Sequence, residues 1–150
     1  MARFRYRMQN ILSVKEKLET QAKNEFALAA AKVNEEEAKL KTLTDRCDVM
    51  LDKLKGLYED SLDVPSIKET ADAVELLKYH INLQKLNLAA ANRELEVARQ
   101  KLTEAVQDRK THERLKEKQF EEFRREEAAK ESKEIDELVS YKFGSADGED

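Results

Sequence analysis

The chain has 150 residues, 40% of them charged, and its formal net charge is −4 at pH 7. Only three residues are glycine and one is proline, which excludes a compact domain with many chain reversals. The single cysteine excludes an internal disulfide and fits a reducing compartment, and the negative net charge argues against a nucleic-acid-binding domain.

The chain opens with arginines that alternate with aromatic residues, in the stretch FRYRMQNILSVKEKLE at 4–19. This stretch could be a targeting signal, a short nucleic-acid-binding segment, a membrane-binding segment or a protein-docking surface. The stretch lacks the apolar run of a secretory signal, and its apolar face is short for membrane binding. A mitochondrial presequence would be followed by an unrelated domain, whereas here the helical pattern continues. We therefore favour protein docking.

Helix one is predicted over about residues 3–59. From residue 22 onward, apolar side chains recur at the a and d positions of a heptad, interrupted once by Glu36. We call the line of these positions the seam; in helix one it contains Ala22, Phe26, Ala29, Val33, Leu40, Leu43, Cys47, Met50, Leu54 and Leu57. Upstream, Ile11, Val14 and Leu18 join the seam by four-residue steps, which predicts a stutter there.

A reversal is predicted at about residues 60–66, because Pro65 cannot continue a helix and Ser66 to Glu69 have the pattern of a capping box. Helix two is predicted over about residues 67–142. Its seam contains Val74, Leu77, Ile81, Leu88, Ala91, Leu95, Ala98, Leu102 and Ala105. Residues 144–150, GSADGED, are predicted to form a short disordered acidic tail.

These elements predict an all-α fold: a long two-helix antiparallel coiled-coil hairpin that forms a single domain over residues 1–143. Residues that face each other have numbers that add to roughly 126, twice the tip position. This register places Phe4 beside Phe120 and Phe123. Helix two overshoots helix one by roughly 25 Å, which leaves a C-terminal helical overhang with uncovered apolar residues. A frayed helix end is the other interpretation of this overhang.

The sequence offers no catalytic, cofactor-binding or metal site. Three glycines cannot build a phosphate-binding loop, and no Gly-Lys-Ser/Thr string is present. His80 and His112 have no second ligand at metal-binding spacing, and Cys47 falls on the seam, where a thiol packs as a small apolar residue. The carboxylates lie at solvent-facing helix positions. An enzyme is therefore not expected, nor is a transmembrane span.

Both ends of the chain resemble the flagellar export protein family FliJ. The opening FRYRMQNILSVKEKLE is similar to that family's aromatic-x-aromatic-x-hydrophobic-x-x-hydrophobic-hydrophobic start. Residues 112–138, HERLKEKQFEEFRREEAAKESKEIDEL, resemble its E-x-L-K-E-K, aromatic-R and E-x-K-x-x-D-E elements. The resemblance covers the chain in length and layout, and its motifs lie at the two ends.

The resemblance implies a non-enzymatic component of the bacterial flagellar type III export apparatus, without a cofactor. It implies a coiled coil shaped like the central stalk of rotary ATP synthases, whose open end inserts into the hexameric export ATPase FliI and promotes its assembly and activity. The coil would also link the ATPase to the export gate protein FlhA and to export chaperones. The implied location is cytoplasmic, peripheral at the inner membrane through the export apparatus.

The resemblance also implies two sets of site residues. The ATPase-docking set is Arg3, Phe4, Tyr6, Arg7, Ile11, Leu12, Phe123, Ile135, Leu138 and Tyr141. A possible export-gate patch, nearer the turn and off the seam, is Leu76, Tyr79, His80 and Leu83. For each residue of that patch taken singly, a plain helix surface or a broadened seam is an alternative interpretation.

Two alternatives remain open at this stage. The heptads alone would equally support a coiled-coil adaptor or tether that has no coupling to an ATPase. The seam could also run between two chains in a long parallel dimer, although Pro65 argues against an unbroken helix and favours a monomeric hairpin when the protein is free.

Overall fold

The computed structural model describes residues 2–60 and 62–146, and these residues form two helices and no strand. Helix α1 spans Gln9–Glu59 and has 51 residues, and helix α2 spans Val64–Ala146 and has 83 residues. The two helices pack against each other in opposite directions, as the cross-helix contacts below show. The predicted all-α antiparallel hairpin is therefore confirmed.

Contacts divide the chain into two compact units. The terminal unit combines residues 1–19 with 105–150, and the central unit comprises residues 20–104. Each unit contains a length of α1 and a length of α2. The assignment of residues 1–143 to a single domain stays a prediction.

The register of the central unit agrees with the sequence. Lys32 Nζ lies 3.5 Å from Glu94 Oε2, and Gln84 Nε2 donates a hydrogen bond of 3.0 Å to the backbone carbonyl of Glu36. The residue numbers of these two pairs add to 126 and 120, close to the predicted value of 126. The helices are therefore paired as the position of the turn requires.

Small side chains dominate the buried seam of the central unit. Its buried apolar residues are Ala22, Val33, Cys47, Val74, Ala91 and Ala98, all at predicted seam positions. Ala91 is only 2% exposed. Small residues at the contact allow two helix backbones to approach closely, which increases dispersion contacts along the seam.

A polar layer at Glu36 and Gln84 interrupts this apolar seam. Gln84 is buried, and its side-chain amide donates to both the carboxylate and the backbone carbonyl of Glu36. Lys39 Nζ lies 3.4 Å from the Glu36 carboxylate. The hydrogen bond from Gln84, followed by the charges of Lys39 and Lys32, lowers the pKa of Glu36 against the opposing effect of burial. A charged seam residue is thus accommodated by a partner on each helix.

The start of α2 corrects the predicted cap. The helix begins at Val64 and not at about residue 67, and Asp63 precedes it. The Asp63 carbonyl accepts from Ile67 N at 3.1 Å, and its carboxylate accepts from Ser66 Oγ at 2.7 Å. Asp63 is therefore the N-cap, and Ser66 lies within the first turn. Pro65 fits there because the first amides of a helix have no carbonyl partner within it.

The outer helix ends also differ from the prediction. Helix α1 begins at Gln9 and not at about residue 3, because residues 2–8 pack against α2 in a non-helical arrangement described below. Helix α2 continues past residue 142 to Ala146, since one glycine costs a helix only about 1 kcal/mol. Of the predicted disordered tail, residues 144–146 are therefore helical, and residues 147–150 lie outside the described residues.

The near-complete burial of Ala91 predicts that added volume is not tolerated there. Ala91→Leu should reduce the free energy of unfolding by about 1–3 kcal/mol, because the extra carbons must push the two backbones apart. Thermal and urea unfolding followed by circular dichroism measure the change. Ala89→Leu, at an exposed position of the same helix, is the matched control and should change stability little. Equal losses in the two variants would contradict close packing at Ala91.

The Glu36 layer predicts a pH dependence. Because the folded-state pKa of Glu36 lies below its ordinary value of 4.5, its ionised form stabilises the fold above about pH 5. This contribution is lost as the pH falls through the lowered pKa. Glu36→Gln should therefore show a smaller loss of melting temperature than the wild type between pH 6 and pH 3. Identical losses in both proteins would exclude a stabilising role for this carboxylate.

Candidate docking surface

The first described residues of the terminal unit alternate between buried and exposed positions. Phe4 and Met8 are half-buried and Tyr6 is buried, whereas Arg3, Arg5 and Arg7 are exposed; this list covers residues 3–8. A period of two residues is typical of an extended chain, since a helix would turn Phe4 and Tyr6 to opposite sides. The spacing of the aromatic residues explains why α1 starts only at Gln9.

Phe4 anchors this N-terminal segment on α2. Its ring centroid lies 5.3 Å from that of Phe120 and 5.4 Å from that of Phe123, with interplanar angles of 68° and 47°. These distances and angles are typical of favourable edge-to-face and tilted aromatic pairs. The structure thus confirms the predicted meeting of Phe4 with this region of α2.

Tyr6 is the buried residue of this N-terminal segment and is 8% exposed. Lys116 Nζ is 6.0 Å from the centroid of the Tyr6 ring and donates a hydrogen bond of 2.7 Å to Gln9 Oε1. The Tyr6 carbonyl accepts from Gln9 N at 3.2 Å. Lys116 therefore connects the N-terminal segment and the first turn of α1 to α2 through a cation–π contact and a hydrogen bond.

The seam of the terminal unit corrects the predicted stutter. Leu12 is 3% exposed, Glu19 is buried and Lys15 is half-buried, so the heptad continues through these residues without interruption into Ala22. Ile11, Val14 and Leu18, which were predicted to join the seam, are exposed. The prediction was wrong because it followed hydrophobicity, whereas the buried and half-buried seam positions here include two charged residues, Glu19 and Lys15.

An ion-pair network accounts for the burial of Glu19. Arg109 Nε donates to the Glu19 carboxylate, and Arg109 Nη1 donates to Glu113 Oε2 at 2.8 Å. The hydrogen bond to Glu113, together with that to Glu19, raises the pKa of Arg109 against the opposing effect of burial. Lys15 Nζ also lies 3.5 Å from Asp108 Oδ2. A buried carboxylate is acceptable only when paired in this way.

Ile11, Val14 and Leu18 consequently form an exposed apolar stripe on α1. They are spaced three and four residues apart, so they share one helix face. Sequence reasoning placed Ile11 in the docking set but missed Val14 and Leu18, because it had assigned both to the seam. The sequence does contain a signal that could have found them. The unbroken heptad runs through Leu12, Lys15 and Glu19, and Arg109 on helix two is available as a partner for the Glu19 carboxylate.

The last part of α2 presents further apolar residues to solvent. Every described side chain from Ala128 to Ser145 is exposed. The large apolar ones are Ile135, Leu138, Val139, Tyr141 and Phe143. An open cavity of about 550 Å³ lies where this part of α2 begins, lined by Ala2, Phe123, Arg124, Glu127, Ala128 and Glu131 among others. The terminal unit therefore leaves the predicted overhang uncovered.

The structure divides the predicted ATPase-docking residues into three groups. Phe4 and Phe123 are in contact, and Arg3 and Arg7 are exposed beside them in sequence. Tyr6 and Leu12 are buried within the unit, so they support the surface and do not line it. Ile11, Ile135, Leu138 and Tyr141 are exposed, and the last three lie beyond Phe123 along α2, starting about 18 Å away at Ile135.

The predicted export-gate patch lies in the central unit. All four residues, Leu76, Tyr79, His80 and Leu83, are exposed. The ring centroids of Tyr79 and His80 are 5.7 Å apart, with an interplanar angle of 64°. These residues are exposed to solvent within the central unit.

Comparisons with known proteins decide the family. The model of the family described as flagellar FliJ protein matches residues 4–148. The chain belongs to the FliJ family. A solved structure of a Chlamydia trachomatis protein, CT670, described as a YscO homolog, is similar in fold, with a TM-score of 0.54 and 24% sequence identity. The match covers 99% of this chain and 100% of that one, while no curated protein matches the chain.

Membership of the FliJ family makes the chain a non-enzymatic component of a type III export apparatus. Within residues 2–60 and 62–146, no cluster of three or more His, Cys, Asp or Glu residues could hold a metal ion. In the same part of the chain, no helix has both the length and the apolar character needed to cross a membrane.

The aromatic contacts of Phe4 predict how the N-terminal segment is held in this FliJ family member. Phe4→Ala should destabilise the terminal unit by about 1–3 kcal/mol, because two aromatic pairs and their buried area are lost. Hydrogen exchange of the amides in residues 9–19 and 109–124 should become faster, with little change in residues 30–90. Arg5→Ala, at an exposed position of the same segment, is the control. Unchanged exchange in Phe4→Ala would show that the segment is not anchored by this ring.

Proposed function

We propose that the terminal unit docks into the hexameric export ATPase, promotes its assembly and activity, and so couples it to the rest of the apparatus. The observation that carries the proposal is the exposed stretch from Ala128 to Ser145, in which five large apolar side chains have no partner within the described chain. Uncovered apolar residues in such number at one end of a unit indicate a binding surface for another protein.

Two further features of the terminal unit support a protein partner. The exposed stripe of Ile11, Val14 and Leu18 adds apolar area from α1. The guanidinium groups of Arg3, Arg5 and Arg7 are exposed, and none of them makes an ion pair with another described residue. Unpaired arginines are well suited to contacts with carboxylates of a partner.

The buried interior of the terminal unit supports the same proposal. Phe4, Lys116 and the Glu19–Arg109 network hold the N-terminal segment against α2. A surface that is fixed before binding loses less conformational entropy on association than a disordered one. The N-terminal segment would therefore act as a preformed part of the docking surface.

The central unit would provide the links to the export gate and the export chaperones. Its exposed patch of Leu76, Tyr79, His80 and Leu83 is the region we assign to the gate. Through these partners the protein would act in the cytoplasm, at the inner face of the membrane that carries the export apparatus. The free protein would be a monomeric hairpin.

Removal of the exposed part of α2 tests the proposal directly. A chain that ends at Glu127 keeps Phe120 and Phe123 and should unfold within a few degrees of the full chain, because every side chain of residues 128–145 is exposed. It should lose the stimulation of ATP hydrolysis and of ATPase hexamer formation that the full chain produces. Malachite-green phosphate release and light scattering measure these two effects.

Point variants make the same test independent of chain length. Leu138→Asp and Tyr141→Asp should each weaken the stimulation at least ~10-fold in half-maximal concentration, because each places a charge on the apolar surface. Ser140→Asp adds the same charge at another exposed position of this stretch and is the control. Co-elution without any change in hydrolysis or assembly would contradict the proposal and favour an adaptor or tether.

A further inference from the structure

The terminal unit has two exposed apolar stripes, and the first lies where α1 and α2 are paired. Ile11, Val14 and Leu18 of α1 are exposed, and so is Leu115 of α2. With the seam at a and d, Ile11 and Leu115 both occupy g positions, directly before an a position. The g positions of two antiparallel helices lie on the same side of the pair. We call these four residues the inner stripe.

The second stripe lies on the overhang, the part of α2 from Ala128 to Ala146. Ile135, Leu138 and Val139 are exposed, and spacings of three and four residues put them on one helix face. The seam positions of this stretch are Lys130, Lys133, Glu137 and Ser140. The apolar face is therefore turned away from the line along which α2 packs on α1. We call these three residues the outer stripe.

The two stripes match in spacing. Ile11 and Val14 are three residues apart, as are Ile135 and Leu138. A helix that carries the outer stripe and runs parallel to α1 could therefore place Ile135 beside Ile11 and Leu138 beside Val14. The overhang cannot fold back onto its own chain in this way, because α2 is one continuous helix to Ala146. A second copy of the chain could supply it.

A twofold axis between two copies gives the required direction. If the two α2 helices run antiparallel, the overhang of one copy runs parallel to α1 of the other, because α1 and α2 are antiparallel within each chain. The overhang has 19 residues, about 28 Å, and residues 11–18 extend over only about 10 Å. Each overhang is thus long enough, and symmetry makes every contact twice. The inner and outer stripes together would cover seven large apolar side chains of each copy.

The charges beside the two stripes are complementary. Residues 1–18 contain five basic residues and one acidic residue, whereas residues 126–137 contain six acidic and two basic residues. On α2, Asp108 and Lys118 near the inner stripe balance each other, so the attraction comes from the N-terminal stretch. With Ile135 beside Ile11, Glu131 of one copy is level with Arg7 of the other. Both of these side chains are exposed.

We propose that two copies of the chain pair reversibly through these stripes, with the overhang of each packed on the inner stripe of the other. The dilute chain is a monomeric hairpin, and pairing occurs as its concentration rises. The pairing does not require the ATPase, although it covers residues that the proposed function assigns to ATPase docking. A paired chain therefore cannot dock, and the ATPase competes with the second copy for the same surface.

Sedimentation velocity of the full chain tests the pairing. Between about 1 and 300 μM, the weight-average mass should rise from 17.4 kDa toward twice that value, and it should not rise further because the twofold contact is closed. Raising the salt concentration from about 0.05 to 0.5 M should weaken the association at least ~5-fold, since screening reduces the attraction between the opposite charges.

Matched variants locate the two stripes. Val14→Asp and Leu138→Asp should each weaken the association at least ~10-fold, because each places a charge within an apolar contact that occurs twice. Ser140→Asp adds the same charge on the other side of the overhang and is the control. All three positions are exposed, so melting temperatures measured by circular dichroism should stay close to that of the wild type.

A charge exchange tests the alignment and shows that the contact joins two chains. Arg7→Glu and Glu131→Lys should each weaken self-association at least ~5-fold, because like charges then face each other. An equimolar mixture of the two variants should regain the affinity of the wild type. In the mixed pair, position 7 of each copy again faces an opposite charge at position 131 of the other.

Several results would overturn the inference. A constant mass of 17.4 kDa up to about 300 μM would exclude the pairing. Equal association of the wild type and Leu138→Asp would place the contact elsewhere, and no recovery in the mixture would contradict the alignment. ATPase stimulation is measured at submicromolar concentrations of the chain, where it is monomeric. Failure of the pairing and failure of the proposed function are therefore distinguishable.

Discussion

Two helices that pack only against each other can bury one stripe of each, and this constraint governs every other feature of the protein. Among the described residues, no large side chain is fully buried, and most buried apolar side chains are small. The two helices are therefore held together by packing at small buried residues such as Ala91, which permit close helix contact. A uniform apolar stripe would allow the helices to slide, whereas the Glu36–Gln84 layer and the Glu19–Arg109 network are satisfied in one register only.

The same constraint explains why so many large apolar residues are exposed. A third layer would cover Leu76, Val49 or Leu138 in a globular protein, and here that layer is missing from the chain. The exposed apolar residues are ordered in stripes, at positions that a further helix or a concave protein surface could cover. Such a hairpin is suited to presenting surfaces along its helices, which agrees with a non-enzymatic component of an export apparatus.

The sequence predicts the parts of the fold that depend on apolar periodicity. The seam from Val74 to Leu102, the reversal before α2 and the contact of Phe4 with Phe120 and Phe123 all follow from spacing and register. Prediction from the sequence fails where polar contacts or local backbone geometry outweigh apolar periodicity. Glu19 lies in the seam only because Arg109 lies opposite. Asp63 caps α2 in preference to Ser66 through its backbone and side-chain bonds together. Because Glu19 was not assigned to the seam, Val14 and Leu18 were assigned to it instead, and their exposure was not predicted.

The exposed part of α2 from Ala128 to Ser145 has a thermodynamic consequence. About eighteen residues whose side chains are all exposed form a helix that is only marginally stable in water, because the cost of nucleation and ordering is offset mainly by local terms. Association with a partner at this surface would therefore be coupled to a helix–coil equilibrium. Substitutions that change helix propensity, even at positions that never touch a partner, would alter the dissociation constant. Temperature would alter it in the same way, so this segment would make the strength of the proposed assembly sensitive to growth conditions.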